Sequence, residues 1–162
     1  MASLTAWKFD TAEGADQALQ KVTDLVKQQL IQIEDAAVVS WPKGKKKPKT
    51  HQAAPTTDTG ALSGAFWGML FGLLFLIPFM GMAIGAAMGA LVGHFADYGI
   101  SDDFIKQVRS KVTEGTSALF LLTDQVTVDK VAAAFKGTKM ELIQSNLSTD
   151  QEAALRKAFG DE

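Results

Sequence analysis

Two histidines, two adjacent aspartates and a run of lysines are the residues of this chain whose types could do chemistry. His94 stands three positions before Asp97, a spacing that sets both on one helix face. There they would hold a metal, pass a proton or form an ordinary interfacial hydrogen bond. His51, between Thr50 and Gln52 after the lysine run, reads as an exposed loop histidine. Asp102 and Asp103 have carboxylates for acid–base work, but Ser101 before them marks a helix start, where negative charge suits the dipole. No nucleophile elbow, phosphate-binding loop, dinucleotide fingerprint or zinc spacing occurs. The chain has no cysteine, which excludes disulfides and thiolate ligation. A protein that is not an enzyme, with no cofactor and no metal, is the expectation.

Lys43, Lys45, Lys46, Lys47 and Lys49 carry +5 in a chain of net charge −2, which leaves the remainder near −7. The run reads as a solvated turn or as a site for anionic lipid headgroups, at about 1 kcal/mol per basic residue near a surface. Nucleic acid is not expected as a partner, because no aromatics interleave with the lysines and the chain is acidic overall. Met1 to Asp10 has no apolar core of a signal peptide.

The elements that must position these groups are organised around an apolar stretch with two glycine series. Gly60, Gly64, Gly68 and Gly72 form the first; Gly81, Gly85, Gly89 and Gly93 form the second. No Asp, Glu, Lys or Arg occurs between Gly60 and Phe95. Four-residue spacing stacks side chains on one helix face, and Pro78 cannot continue a helix. The spacing predicts two apolar helices folded about Pro78, over residues 58–97. Each arm would be about 25 Å long against a hydrocarbon core of roughly 30 Å. Full spanning, shallow or re-entrant insertion, and burial inside a soluble assembly therefore compete.

At about 100° per residue, Leu62, Phe66, Met69 and Leu73 lie opposite the first glycine series, as a bulky back for lipid or core. Ala83, Ala87, Ala90 and His94 lie opposite the second, while Ile84, Met88, Leu91 and Phe95 form one bulky stripe between. Small residues let helix backbones approach closely, so the second arm has two close neighbours to satisfy. One is the first arm and the other belongs to another copy, which predicts a homo-oligomer. Copies of His94 would then cluster and respond to pH.

Residues 1–57 and 98–162 read as the halves of one domain. Leu4 to Phe9 is a first strand. Asp10 with Glu13 has capping-box spacing before a helix that buries Ala15, Leu19, Val22 and Val26. Ile33 to Trp41 is a second strand, followed by a turn at Pro42-Lys43-Gly44 and a short return from Lys47 to Ala53. Beyond the insert, Gly99 is a left-handed cap, Ser101 opens a helix, and Ser117 to Thr123 is a buried strand. Thr127 caps a short helix, Lys139 to Asn146 is the last strand, and Ser148 with Gln151 starts a terminal helix. With the insert removed, the order is that of an α+β, ferredoxin-like (βαβ…βαβ) domain interrupted by an apolar glycine-zipper helical hairpin.

Gly60 to Gly68, Gly81 to Gly93, Asp97-Tyr98-Gly99-Ile100 and Gly115-Thr116-Ser117-Ala118-Leu119-Phe120 together resemble a bacterial family of membrane proteins. That family is known only as domain of unknown function 1269, and the similarity covers nearly the whole chain. The resemblance implies a glycine-zipper membrane protein and supplies no reaction. With the lysine turn close to the first arm, the positive-inside rule puts both soluble parts in the cytoplasm, at the inner membrane. The expected function is that of a non-catalytic, hairpin-anchored scaffold or bilayer-modifying homo-oligomer, linked to envelope stress. A pore or transport protein is the first alternative, against which the span offers only His94 as an ionisable group. A ligand-sensing domain coupled to the hairpin is the second, its small-molecule ligand unknown.

Overall fold

A computed structural model describes residues 2–46, 48–52, 64–76 and 95–159. It is α+β, with a five-stranded antiparallel sheet and, among the described residues, five α-helices. The chain runs β1 (Ala2–Phe9), α1 (Gly14–Lys27), β2 (Asp35–Ser40), β3 (Lys49–Gln52) and α2 (Gly64–Phe71). A π-helical turn, Gly72–Leu76, prolongs α2. Then follow α3 (Asp102–Lys111), β4 (Ser117–Asp124), α4 (Gln125–Ala134), β5 (Met140–Leu147) and α5 (Thr149–Phe159).

The strand order is β3-β2-β4-β1-β5. β4 pairs antiparallel with both β1 and β2, so β1 and β2 run parallel with β4 between them. Side chains alternate across a strand, and here both sides are apolar. Leu4, Ala6, Ala37, Val39, Phe120 and Leu122 face one core; Trp7, Phe9, Ala36, Val38, Leu119 and Leu121 face another. The unbroken apolar runs at Ala36–Val39 and Ala118–Leu122 follow from burial on both faces.

One core is closed by α1 and α4, through Ala15, Ala18, Val22, Val128 and Val131. Leu19 and Val26, expected on the buried face of α1, are only partly covered. The cap of α1 also differs from expectation. Glu13 occupies the cap position without a side-chain bond, and Asp10 turns to Lys8 at 2.8 Å. Ser117 on β4 takes over: its buried hydroxyl accepts from Ala15 N at 2.8 Å and donates to the Thr11 carbonyl at 2.6 Å. On α4 the cap is Asp124, accepting from Thr127 N at 2.8 Å, rather than Thr127 itself. The other local caps are as expected. Ser101 accepts from Phe104 N, and Ser148 and Gln151 exchange reciprocal bonds of 2.8 and 3.1 Å. Gly99 has φ +91°.

The opposite core holds the main correction. Its cover is α2 with the π-helical turn, together with α3 and α5. The described part of the first arm is eight α-helical and five π-helical residues lying on the sheet. It is too short for a hydrocarbon core of roughly 30 Å, and its bulky side chains already have the sheet as partner. Among the described residues there is no apolar membrane-spanning hairpin, and no helix is long and apolar enough to cross a membrane. The arm from Gly81 to Gly93 lies outside the described residues.

Candidate functional site

α2 has no charged residue and almost no sidedness in hydrophobicity, yet its aromatic and leucine side chains separate from Gly68 and Met69. Phe66, Trp67, Leu70 and Phe71, with Leu73, Leu74 and Phe75 of the π-helical turn, are all buried. The rings interlock edge to face. Phe71 meets Phe120 of β4 with centroids 5.3 Å apart, and Phe66 meets Phe95 at 5.8 Å. Phe95 is the first described residue after the insert, so the chain returns beside the helix from which it departed. On the outward side stand Gly68, which is exposed, and Gly72, which is half-buried; a Cβ on either would meet nothing within 4 Å among the described residues. Met69, expected on the bulky back, is 36% exposed and belongs to this outer side.

A polar bond fixes α2 on the sheet. Asp35, at the start of β2, is fully buried. Its carboxylate accepts from the Trp67 indole N–H at 3.0 Å and from the Ala36 backbone N–H at 2.8 Å. A buried carboxylate is costly without donors, so this pair selects the rotation of α2 that points Trp67 inward and the glycines outward.

The lysine turn meets the same element at its far end. Trp41 follows β2, and its indole N–H donates to the Lys45 carbonyl at 2.9 Å. Its ring meets that of Phe75 edge to face, with centroids 6.1 Å apart and planes at 85°. Exposed Lys43, Lys45 and Lys46 therefore sit on the turn that flanks the end of the described apolar segment, and exposed Lys49 opens β3 just beyond it. Trp41 joins the two through one bond and one ring contact. Lys47 lies outside the described residues.

The other singled-out residues separate. His51 is exposed on the edge strand β3. Asp97 is exposed, and its expected partner His94 lies outside the described residues, as do Gly60, Gly81, Gly85, Gly89, Gly93, Ala83, Ala87 and Ala90. Asp102 binds Lys106 one turn on at 3.0 Å, which holds that ammonium above its ordinary pKa. Among the described residues no three acidic or histidine side chains converge as a metal site. The residues missed by spacing are Asp35, Trp67, Trp41 and Ser117, each acting on a partner in a different element.

The protein family described as "protein of unknown function (DUF1269)" matches residues 61–160. The match begins in the apolar segment and takes in everything from there through α5, leaving β1, α1, β2 and β3 outside. No curated protein and no solved structure matches the chain.

Proposed function

We propose, from the premise that this chain belongs to that family of unknown function, that it is a non-catalytic protein which docks on an anionic membrane and assembles there with copies of itself. The observation that carries this reading is the corner at Trp41, where a basic turn and an uncharged apolar segment abut. Lysines attract anionic headgroups at about 1 kcal/mol each, while tryptophan favours the boundary between headgroups and chains. Next to that corner the chain continues into residues 77–94, which contain no Asp, Glu, Lys or Arg.

Self-association rests on the outer side of α2. Gly68 and Gly72 leave the backbone open to close approach, the kind of surface that brings helices together in lipid. With β3 set aside, the connectivity and strand order support a ferredoxin-like reading of the remaining strands. The described part of the insert is then an adhesive element laid, beside α3 and α5, on the sheet face opposite the two crossover helices. A pore is the weaker reading, since the described outer side of α2 offers no ionisable group to a polar path. The docked membrane is, on this reading, the cytoplasmic leaflet of the inner membrane, which the positive turn supports.

The test is flotation of the full chain with vesicles. One set is pure phosphatidylcholine and the other contains phosphatidylglycerol; particle mass is measured in mild detergent. Binding should favour the anionic set and fall with salt. Lys43→Gln, Lys45→Gln and Lys46→Gln together should remove about tenfold or more of that preference. Absence of binding to either set, or a monomer throughout, overturns the proposal.

A further inference from the structure

At the end of the sheet where Phe9 of β1 pairs with Met140 of β5, a half-open cleft of about 360 Å³ lies between the start of α1 and the loop entering β5. It is on the face opposite α2, away from the Trp41 corner. The floor is buried and aromatic: Phe9 and Phe135 meet edge to face at 5.9 Å, with Ala18 beside them. Gly14 shapes this floor, since a Cβ there would come within 2.5 Å of Phe9 Cβ. Only an α1 without a side chain at that point settles so close to β1.

The rim is polar and positive. Lys21 Nζ stands 5.3 Å from the Phe135 ring centre, and exposed Lys139 lines the same cleft. Neither lysine forms an ion pair among the described residues. The one carboxylate at the mouth, Asp10, is already matched by Lys8 at 2.8 Å. That bond, with a smaller contribution from the charge of Lys139, holds Asp10 below its ordinary pKa and keeps it ionised. Gln17 and Thr138 supply the neutral hydrogen-bonding groups. The backbone at the helix start is committed, because Gly14 N, Ala15 N and Gln17 N donate to Thr11, Ser117 and Glu13. Binding here would therefore depend on the lysines and the rings.

We infer that this cleft binds a small aromatic monoanion, its ring on Phe9 and Phe135 and its acid group between Lys21 and Lys139. The volume falls at the lower end of small-molecule sites, roughly 300–1,000 Å³. An apolar floor with a few convergent polar groups is their usual construction. Burial of the ring provides affinity, and the two ammonium groups select an acid over a neutral analogue of the same shape.

The probe is 8-anilinonaphthalene-1-sulfonate on the full chain, beside uncharged N-phenyl-1-naphthylamine. Anilinonaphthalenesulfonate should saturate a single site. Lys21→Gln with Lys139→Gln should weaken it about fivefold, the size of two exposed ion pairs, and leave the uncharged probe unchanged. Amide shifts on titration should centre on residues 9–18 and 135–139. Equal affinity in the double variant overturns the assignment. So does the same loss from Lys43→Gln with Lys45→Gln, or a set of shifts centred on residues 64–76, where the apolar segment is the competing site.

Discussion

On one face of the sheet, α1 and α4 are crossovers that follow directly from β1 and β4, and Val22, Val131 and Phe135 close over Trp7, Leu119 and Leu121. On the other, Phe66, Trp67, Leu70 and Phe71 close over Phe120 and Leu122 from a segment that carries no charge. Both covers bury aromatics against the same strands. They differ in what lies behind them: α1 turns Asp16, Gln17, Gln20 and Lys21 to solvent, whereas α2 turns out Gly68 and Met69. An ordinary amphipathic helix hides one face and hydrates the other. α2 and its π-helical turn hide their aromatic and leucine side chains and leave Gly68, Gly72 and Met69 outside, so apolar content alone cannot say which side meets the core. The aromatic rings do.

The largest test of this comparison removes one ring from each core, Trp7 of β1 from one and Phe66 of α2 from the other. Trp7→Ala and Phe66→Ala should each cost about 3–5 kcal/mol in urea unfolding, as buried aromatic truncations do. If Trp7→Ala lowers the midpoint and Phe66→Ala does not, α2 is not part of the folded core and the two faces are not equivalent.

How much of this could be read from the chain depends on the range of each signal. The Ser101 and Ser148 caps act within three residues and are legible from spacing. The cap of α1 is not, because Ser117 reaches Ala15 across 102 positions, and the local Asp10–Glu13 pattern offers a false alternative. The strands at Ala36–Val39 and Ala118–Leu122 carried a further clue. Their unbroken apolar character requires a cover on both faces, and two crossover helices cover only one. The helices after Ser101 and Ser148 cover part of the second face and the uncharged segment was available for the rest, but its lack of charge fits lipid equally well. What decides is the Asp35–Trp67 bond, made between residues 32 apart. The candidate site was legible in its parts, the lysine run and the glycine series. Their juxtaposition was not, because Trp41 and Phe75 meet only after β2 and α2 are placed.

A middle-sized effect sharpens the comparison through the polar bond of each face. Trp67→Phe keeps one aromatic ring in the core and removes the donor to buried Asp35, and the lost bond should cost about 1–3 kcal/mol. Ser117→Ala removes the cap of α1 on the other side and should cost about 0.5–2 kcal/mol. Measured by urea unfolding, a Trp67→Phe cost below that of Ser117→Ala would mean that α2 is held by its rings alone and that Asp35 does not set its rotation.

The smallest effect has the opposite sign, and it concerns the outward side of α2. Gly68 is exposed in the middle of a regular helix, and a Cβ there meets nothing within 4 Å among the described residues. Glycine in an exposed helix interior is about 1 kcal/mol worse than alanine, so Gly68→Ala should raise unfolding stability by up to that amount. The same methyl group stands on the surface proposed for self-association, where a close backbone approach leaves it little room. Particle mass in mild detergent should therefore fall while the urea midpoint rises. A stability loss would place Gly68 against the body of the protein. An unchanged particle mass, with the expected gain in stability, would show that the glycine side of α2 is not where copies meet.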